Sequence, residues 1–304
     1  MKTMVIGATG YIGSAVAEAL EARGHEVLAL SRPGKPGRPG RPGRPGGYGL
    51  RSGDLADPAS LCAAAADVDV VVHAAPPLGD EQADTAAITA LLESGARLVY
   101  TSGVWVLGAS GSAALGKAAL GKAALGKAAP DETALDETAP TNPLPIVAYR
   151  PRLEQQVLAA GGVVLRPGIV HGRGGGIPSM LVGWAREASA GRYVGGVGTR
   201  WPMVHVDDLA ELFALAVESA KPGSVLHGVT EEAVSTVALA AAADQAAGGP
   251  GNAQPWPTAA DTVGEPFAQA LALDQAVTST QTRTTLGWTP HHPTALTDLT
   301  TGSY

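Results

Sequence analysis

Apolar positions along the chain fall into short runs that alternate with segments of helical period. Residues 4–6 (MVI) follow a short polar start and read as a buried strand, and 14–22 carry the first helical pattern. Residues 26–30 (EVLAL) predict strand two, 50–55 (LRSGDL) strand three and its exit, 58–66 a helix, and 68–73 (VDVVVH) an apolar strand suited to a parallel sheet covered on both faces. A helix over 85–94 and a strand over 97–102 (RLVYTS) follow. After an irregular stretch come a helix over 146–159, a strand over 163–166, the turn PGIVHGRGGG, a helix over 179–190, a short strand over 201–206 and a helix over 207–219. That last helix places Asp207 and Asp208 in its first turn, where the helix dipole favours acids. Residues 224–229 and the Ala-rich helix 235–247 complete a smaller C-terminal region interleaved with the sheet. The alternation predicts an α/β fold: a doubly wound parallel sheet over 1–166, and a smaller region over 167–304.

Two segments break the pattern. Residues 34–46 are the tandem repeat GKPGRPGRPGRPG. Glycine at every third position imitates collagen, but a few triplets in one chain cannot build a three-chain helix, so an extended, polyproline-like surface loop is predicted. Between 103 and 142, residues 115–129 repeat LGKAA three times and DETA follows twice. A period of five fits neither helix nor strand, so a second surface loop is predicted, with the chemistry outside it.

Gly7, Gly10 and Gly13 stand at G-x-x-G-x-x-G spacing between the first strand and the first helix. Glycine lets the backbone turn sharply and approach a pyrophosphate, while the free amides and dipole of a helix N-terminus supply an anion site. In this β-α-β context the turn, with Thr9, Tyr11 and Ile12, predicts a dinucleotide site and a Rossmann-like sheet, against a glycine turn with no ligand. Strand two ends in Ser31 and Arg32. An acid there would bond the adenosine ribose of NAD, whereas a cation can hold the 2'-phosphate of NADP. NADP(H) is therefore the expected cofactor and NAD(H) the alternative, the rival reading of Arg32 being a solvated loop cation. Ala74 and Ala75 are small enough to let backbone lie close to a ligand at the carboxyl end of strand four.

Composition narrows the field further. The 304 residues carry a net charge of -7, which argues against a nucleic-acid surface. No apolar run reaches the roughly 18 residues of a spanning helix, and the first strand begins at once, so a cytoplasmic protein without a membrane partner is expected. Cys62, the single cysteine, sits in the apolar run LCAAAA and reads as core packing, not as part of a thiolate cluster.

Further stretches carry a family likeness: GATGYIG at the start, GDL at 53–55, HAA at 73–75, YTSGVWVLG at 100–108, LRPGIVHG at 165–172, VHVDDLA at 204–210 and LGW at 286–288. With these the chain resembles an extended or atypical short-chain dehydrogenase/reductase of the NAD-dependent epimerase/dehydratase type. The resemblance implies NAD(P) on the sheet and a small C-terminal substrate region. It also implies Asp54 and Leu55 near adenine, Ala74 and Ala75 along the dinucleotide, and 167–170, including Pro167 and Ile169, near nicotinamide.

The catalytic set departs from that family. Its members carry a Ser or Thr after strand five and a Tyr-x-x-x-Lys pair in which lysine lowers the tyrosine pKa for proton exchange. Counting from Gly108 puts Gly103 at the serine position, and aligning Glu154 puts Arg150 at the lysine and Ile146 at the tyrosine. Thr101 and Ser102 offer hydroxyls one or two positions early, and Tyr149 offers a phenol. Arg150 can hold a ribose, with a permanent charge and a geometry unlike lysine's. His171 is an alternative acid/base, against a histidine bonded to backbone. His205 reads as structural, and no metal site is expected at His291 and His292. Trp105, Trp201 and Arg200 are the expected substrate contacts, against tryptophan as plain packing.

Three functions remain open: an NADP(H)-dependent oxidoreductase or epimerase-like enzyme on a small hydroxylated or carbonyl compound; a non-redox isomerase, cyclase or dehydratase that keeps the cofactor; and a nucleotide-sensing regulatory protein. The expected partner is a small-molecule substrate, with the chain as monomer or homodimer.

Overall fold

A computed structural model describes residues 1–32, 48–110 and 134–304; both tandem repeats, at 34–46 and 115–129, lie outside the described residues. Strands β1 (Lys2–Ile6), β2 (Glu26–Ser31), β3 (Gly49–Ser52), β4 (Val70–His73), β5 (Arg97–Thr101) and β6 (Val163–Pro167) all run parallel. Their spatial order, 3-2-1-4-5-6, is that of a dinucleotide-binding sheet, with the order reversing beside β1. A further parallel strand, β10 (Val225–Gly228), closes the β6 edge.

The two faces bury different helices. Helices α1 (Tyr11–Ala22) and α6 (Val206–Ser219) cover one with Val16, Leu20, Leu209, Leu212 and Phe213. Helices α2 (Pro58–Ala65), α3 (Glu81–Glu93) and α4 (Arg150–Ala159) cover the other with Leu61, Ile88, Leu91, Leu153 and Val157. Strand β4 reads VVVH and is buried throughout, as a strand covered on both faces requires.

The remaining chain builds a smaller sheet against this edge. Strands β7 (Ile169–His171) and β9 (Arg200–His205) pair in parallel, and β11 (Glu231–Ser235) joins β9 antiparallel. Two other short strands, β8 (Gly191–Tyr193) and β12 (Ala253–Pro255), pair with each other. Helices α5 (Gly176–Ala188) and α7 (Thr236–Ala246), with Trp201, Met203 and Leu239, form its core. The chain crosses from β9 straight into α6, so the small sheet and the large one share a continuous backbone at His205 and Val206.

Several boundaries differ from the sequence expectation. Helix α3 starts four residues early because the Asp80 carboxylate caps it, accepting the Ala83 N–H at 2.8 Å. The helix expected over 146–159 begins only at Arg150, after a 3-10 turn at Pro145–Val147. Pro151 has no N–H to give to residue 147, so it is tolerated only in a first turn. Ile146 and Arg150 therefore do not share an α-helical face. The turn expected at 167–176 contains β7, too short to show periodicity. Not all of 103–142 is surface either: Val104–Leu107 form a buried 3-10 turn, and Glu137 is buried with its carboxylate accepting from the Thr282 N–H and hydroxyl at 2.8 and 2.6 Å.

Candidate active site

The carboxyl ends of β1 to β6 lie along one edge of the sheet and carry most of the residues singled out from sequence. Gly7 leaves β1 at φ 87°, and a Cβ there would lie 2.8 Å from the Ala75 backbone nitrogen. A Cβ on Gly13 would come within 2.1 Å of the Gly7 carbonyl. Both glycines are thus required by close backbone approach, and together they make a shallow cradle with Thr9 and Gly10 exposed at its rim. Helix α1 starts there with Gly10 as a cap that offers no side-chain bond and with no acid in its first turn, so its N-terminal amides face outward uncompensated. Tyr11 and Ile12 turn back to pack on the core. These residues fit a dinucleotide pyrophosphate: anion-seeking amides over a floor no side chain can fill.

Neighbouring strand ends continue the edge. Ser31 is half-buried and Arg32 exposed at the end of β2. Asp54 shapes the turn after β3, its carboxylate accepting the Ala56 N–H at 3.0 Å, and Leu55 packs inward. Ala74 and Ala75 are half-buried after β4. At the end of β5, the hydroxyls of Thr101 and Ser102 are buried without a hydrogen-bond partner among the described residues. Arg150 reaches across from α4 and donates to the Ser102 carbonyl at 2.9 Å, beside Gly103. Its helix is locked to β6 by a buried bidentate pair, Arg166 to Glu154 at 2.6 and 3.1 Å. Pro167 ends β6, buried, and Ile169 is buried two residues further on, in the small sheet.

Behind Ala75 lies a polar cavity lined by His73, Pro77, Asp84, Tyr100, Thr101 and Arg150, with room for about one water. His73 is enclosed, its Nδ1 unpartnered, and burial pushes its pKa down to about 4. Burial likewise pushes the Tyr100 phenol up to about 12. Tyr149 donates its hydroxyl to Asp84 Oδ2 at 2.6 Å, while Asp84 Oδ1 accepts the Leu78 N–H at 2.9 Å. Burial first and the Asp84 hydrogen bond second hold the Tyr149 phenol well above its ordinary range.

The other expected residues fall outside this edge. His171 has no exposed surface and meets Asp298 at 3.1 Å through Nδ1. Trp201 is 4 % exposed with its indole N–H bonded to the Leu271 carbonyl, in the core of the small sheet. Arg200 is held by Asp274 at 2.7 and 2.9 Å. Trp105 packs edge-on against Phe267, half-buried between two cores. His171 meets His205 edge-on at 5.1 Å and His205 lies flat on His292 at 4.6 Å, while the His205 Nδ1 accepts the Asp207 N–H and caps α6. Sequence reasoning missed Asp84 and His73. Asp84 stands one residue before the helix expected over 85–94, and nothing local ties it to Tyr149.

A parallel sheet in this order, with a glycine cradle at its reversal, defines a dinucleotide-binding α/β enzyme. The model of the NAD dependent epimerase/dehydratase family matches residues 3–227, and the chain belongs to that family. It is similar to uncharacterized protein C2A9.02 of Schizosaccharomyces pombe, 29% identical with all of both chains covered. It is equally similar to uncharacterized protein YLL056C of Saccharomyces cerevisiae, 29% identical over 98% of each. Among solved structures, gox2253 superposes with a TM-score of 0.73 at 26% identity, covering 98% of this chain and 96% of that one. In fold alone, it matches the UDP-glucose 4-epimerase of Thermus thermophilus complexed with NAD, at TM-score 0.72 and 22% identity over 99% and 97% of the chains. Among the described residues no helix is long and apolar enough to cross a membrane.

Proposed function

We propose that the chain is an NADP(H)-dependent oxidoreductase or epimerase-like enzyme acting on a small hydroxylated or carbonyl-containing molecule, cytoplasmic, and working as a monomer or homodimer. The observation that carries this reading is the cradle at Gly7 and Gly13, which backbone contacts keep open for a dinucleotide. When bound, a nicotinamide dinucleotide supplies hydride transfer. The residues that would hold it are Gly7, Thr9, Gly10, Tyr11, Ile12 and Gly13 at the pyrophosphate, Asp54 and Leu55 at the adenine, Ala74, Ala75 and Thr101 along its length, and Arg150, Pro167 and Ile169 at the nicotinamide end. Ser31 and the exposed Arg32 supply the NADP preference, with NAD(H) as the alternative. Ser102, Tyr149 and His171 are the candidate proton-transfer groups, and Trp105, Arg200 and Trp201 the candidate substrate contacts. The enclosure of His171 and Trp201 supports Tyr149 and Trp105 ahead of them.

A second reading, a non-redox isomerase, cyclase or dehydratase on the same fold, is favoured by the exposed, phenol-free Ile146 at the family's tyrosine position. One pair of measurements tests both. NADPH and NADH are titrated into wild type and Arg32→Asp, and nicotinamide absorbance is followed during turnover of a panel of UDP-glucose, small aldehydes and small ketones. A charged contact contributes about 1.5–3 kcal/mol, so NADPH should bind roughly tenfold or more tighter than NADH and the variant should lose that preference. Equal affinities overturn the NADP assignment, product without any nicotinamide signal favours the second reading, and dinucleotide binding without product points to a regulatory protein.

A further inference from the structure

The family's chemistry needs a proton acceptor for a substrate hydroxyl, and at the family's tyrosine position this chain has Ile146. Tyr149 brings a phenol to the same stretch, but its electrostatics are inverted. In the family pair a lysine cation favours the phenolate. Here burial raises the phenol's pKa and its 2.6 Å bond to a carboxylate raises it further, so it keeps its proton at neutral pH. A protonated phenol can take up a proton only if its own leaves at the same moment. Among the described residues the group bonded to that hydroxyl is Asp84.

We propose that Asp84 is the proton acceptor of the reaction, a positioning residue that acts through Tyr149; this rests on the reading of Tyr149 as the proton-transfer group. The substrate hydroxyl proton passes to Tyr149 Oη as the Tyr149 proton passes to Asp84 Oδ2, leaving a neutral carboxylic acid and a re-protonated phenol. The substrate's C–H bond breaks with its electron pair, and the hydride goes to the oxidised nicotinamide dinucleotide of the proposed function. In the reverse direction Asp84 returns the proton by the same route. The surroundings serve this exchange. Asp84 Oδ1 is pinned by the Leu78 N–H, so the carboxylate cannot rotate away from Tyr149. The groups facing it are Tyr149 and Arg150 from the α4 side, His73 from β4 and Tyr100 from β5. His73 is neutral there, and Arg150 is the cation. The cavity between them, with the unpartnered His73 Nδ1 and Thr101 Oγ1 in its wall, has room for about one water to carry the proton away.

The test uses the full chain as wild type, Asp84→Asn, Asp84→Glu, Tyr149→Phe and the Asp84→Asn/Tyr149→Phe double variant. Carbon-13 NMR of ring-labelled tyrosine, with Tyr149 assigned by its loss in Tyr149→Phe, reads the phenol titration without substrate or cofactor. In Asp84→Asn the Tyr149 titration should move down by a unit or more, and no movement overturns the proposal. Turnover is read on the panel compound that the wild type processes. Asp84→Asn and Tyr149→Phe should each lose about a hundredfold or more in kcat with cofactor affinity retained, and the double variant should lose no more than either single one. The acid limb of the kcat profile should vanish in Asp84→Asn and return, shifted, in Asp84→Glu. Full activity of Asp84→Asn beside a dead Tyr149→Phe overturns the role of Asp84 and leaves Tyr149 standing. Full activity of Tyr149→Phe, or a wild type that turns over nothing in the panel, overturns both. If Asp84→Asn fails to fold, Asp84→Glu decides alone, and an unshifted acid limb overturns the proposal.

Discussion

His73 links the floor of the site to the stability of the whole sheet. Its ring is 5 % exposed at the end of β4, and burial lowers its pKa from 6.5 to about 4. The folded state therefore binds a proton more weakly than the unfolded state does. As pH falls from 6.5 to 4 the unfolded chain takes up a proton that the folded chain refuses, so this group's stabilisation is complete above 6.5 and drains away across that window. The loss amounts to about 3 kcal/mol at its acid end. His73→Gln should show a correspondingly flatter dependence of urea-unfolding free energy on pH between 6.5 and 4, and parallel curves for variant and wild type would refute it. At this scale the sequence was informative where function is written in one short stretch and silent where it is written in two. The glycine spacing announced the cradle because turn and helix start are contiguous. The Tyr149 bond to Asp84 spans 65 residues, and neither residue type predicts the other. Trp201 and Arg200 are ambiguous in sequence because tryptophan serves ligands and cores alike, and arginine ligands and ion pairs alike.

Helix α4 shows what one buried pair does for an element. Glu154 is 2 % exposed and Arg166 5 %, joined bidentately, and this pair fixes the helix one turn beyond Arg150. Replacing one partner strands the other charge in the core at a cost of about 3–5 kcal/mol, whereas replacing both with apolar residues is often neutral. Glu154→Leu should therefore unfold at markedly lower urea and lose cofactor affinity as Arg150 drifts from the Ser102 carbonyl. Adding Arg166→Met should restore most of the stability; failure to restore it would show that the pair supplies more than charge balance. Element types were readable from periodicity through most of the chain. Their ends were less so, because they depend on caps and on proline. Asp80 and Pro151 were both visible, and weighing them would have moved the starts of α3 and α4 to their observed places.

Over the whole molecule, the large core is completed late in the sequence. Helix α6 covers the α1 face and β10 covers the β6 edge, and both follow β7 and β9 of the small sheet in the chain. A fragment of residues 1–166 leaves Val16, Leu20 and the β6 backbone bare, and that apolar face has to be buried for the sheet to persist. The fragment should be aggregated or molten by near-ultraviolet circular dichroism, while the full chain should unfold in a single transition. A soluble, cooperatively folding fragment would show that the first half stands alone. The parallel sheet was evident from strand–helix alternation, but its seventh strand was not, since nothing in residues 224–229 says which sheet they join.

The glycine-rich turn at Gly172–Gly176 is clasped from the far end of the chain. The Tyr304 hydroxyl accepts from the Gly172 N–H at 2.8 Å and donates to the Gly175 carbonyl at 2.9 Å, and Tyr11 donates to the Gly172 carbonyl at 2.9 Å. The residue that follows the first glycines is thereby braced by one made roughly three hundred positions later. At ribosomal speeds that interval is about 15–60 s. Until residue 304 has cleared the exit tunnel, the turn at 172–176 and the Tyr11 bonded to it lack their clasp.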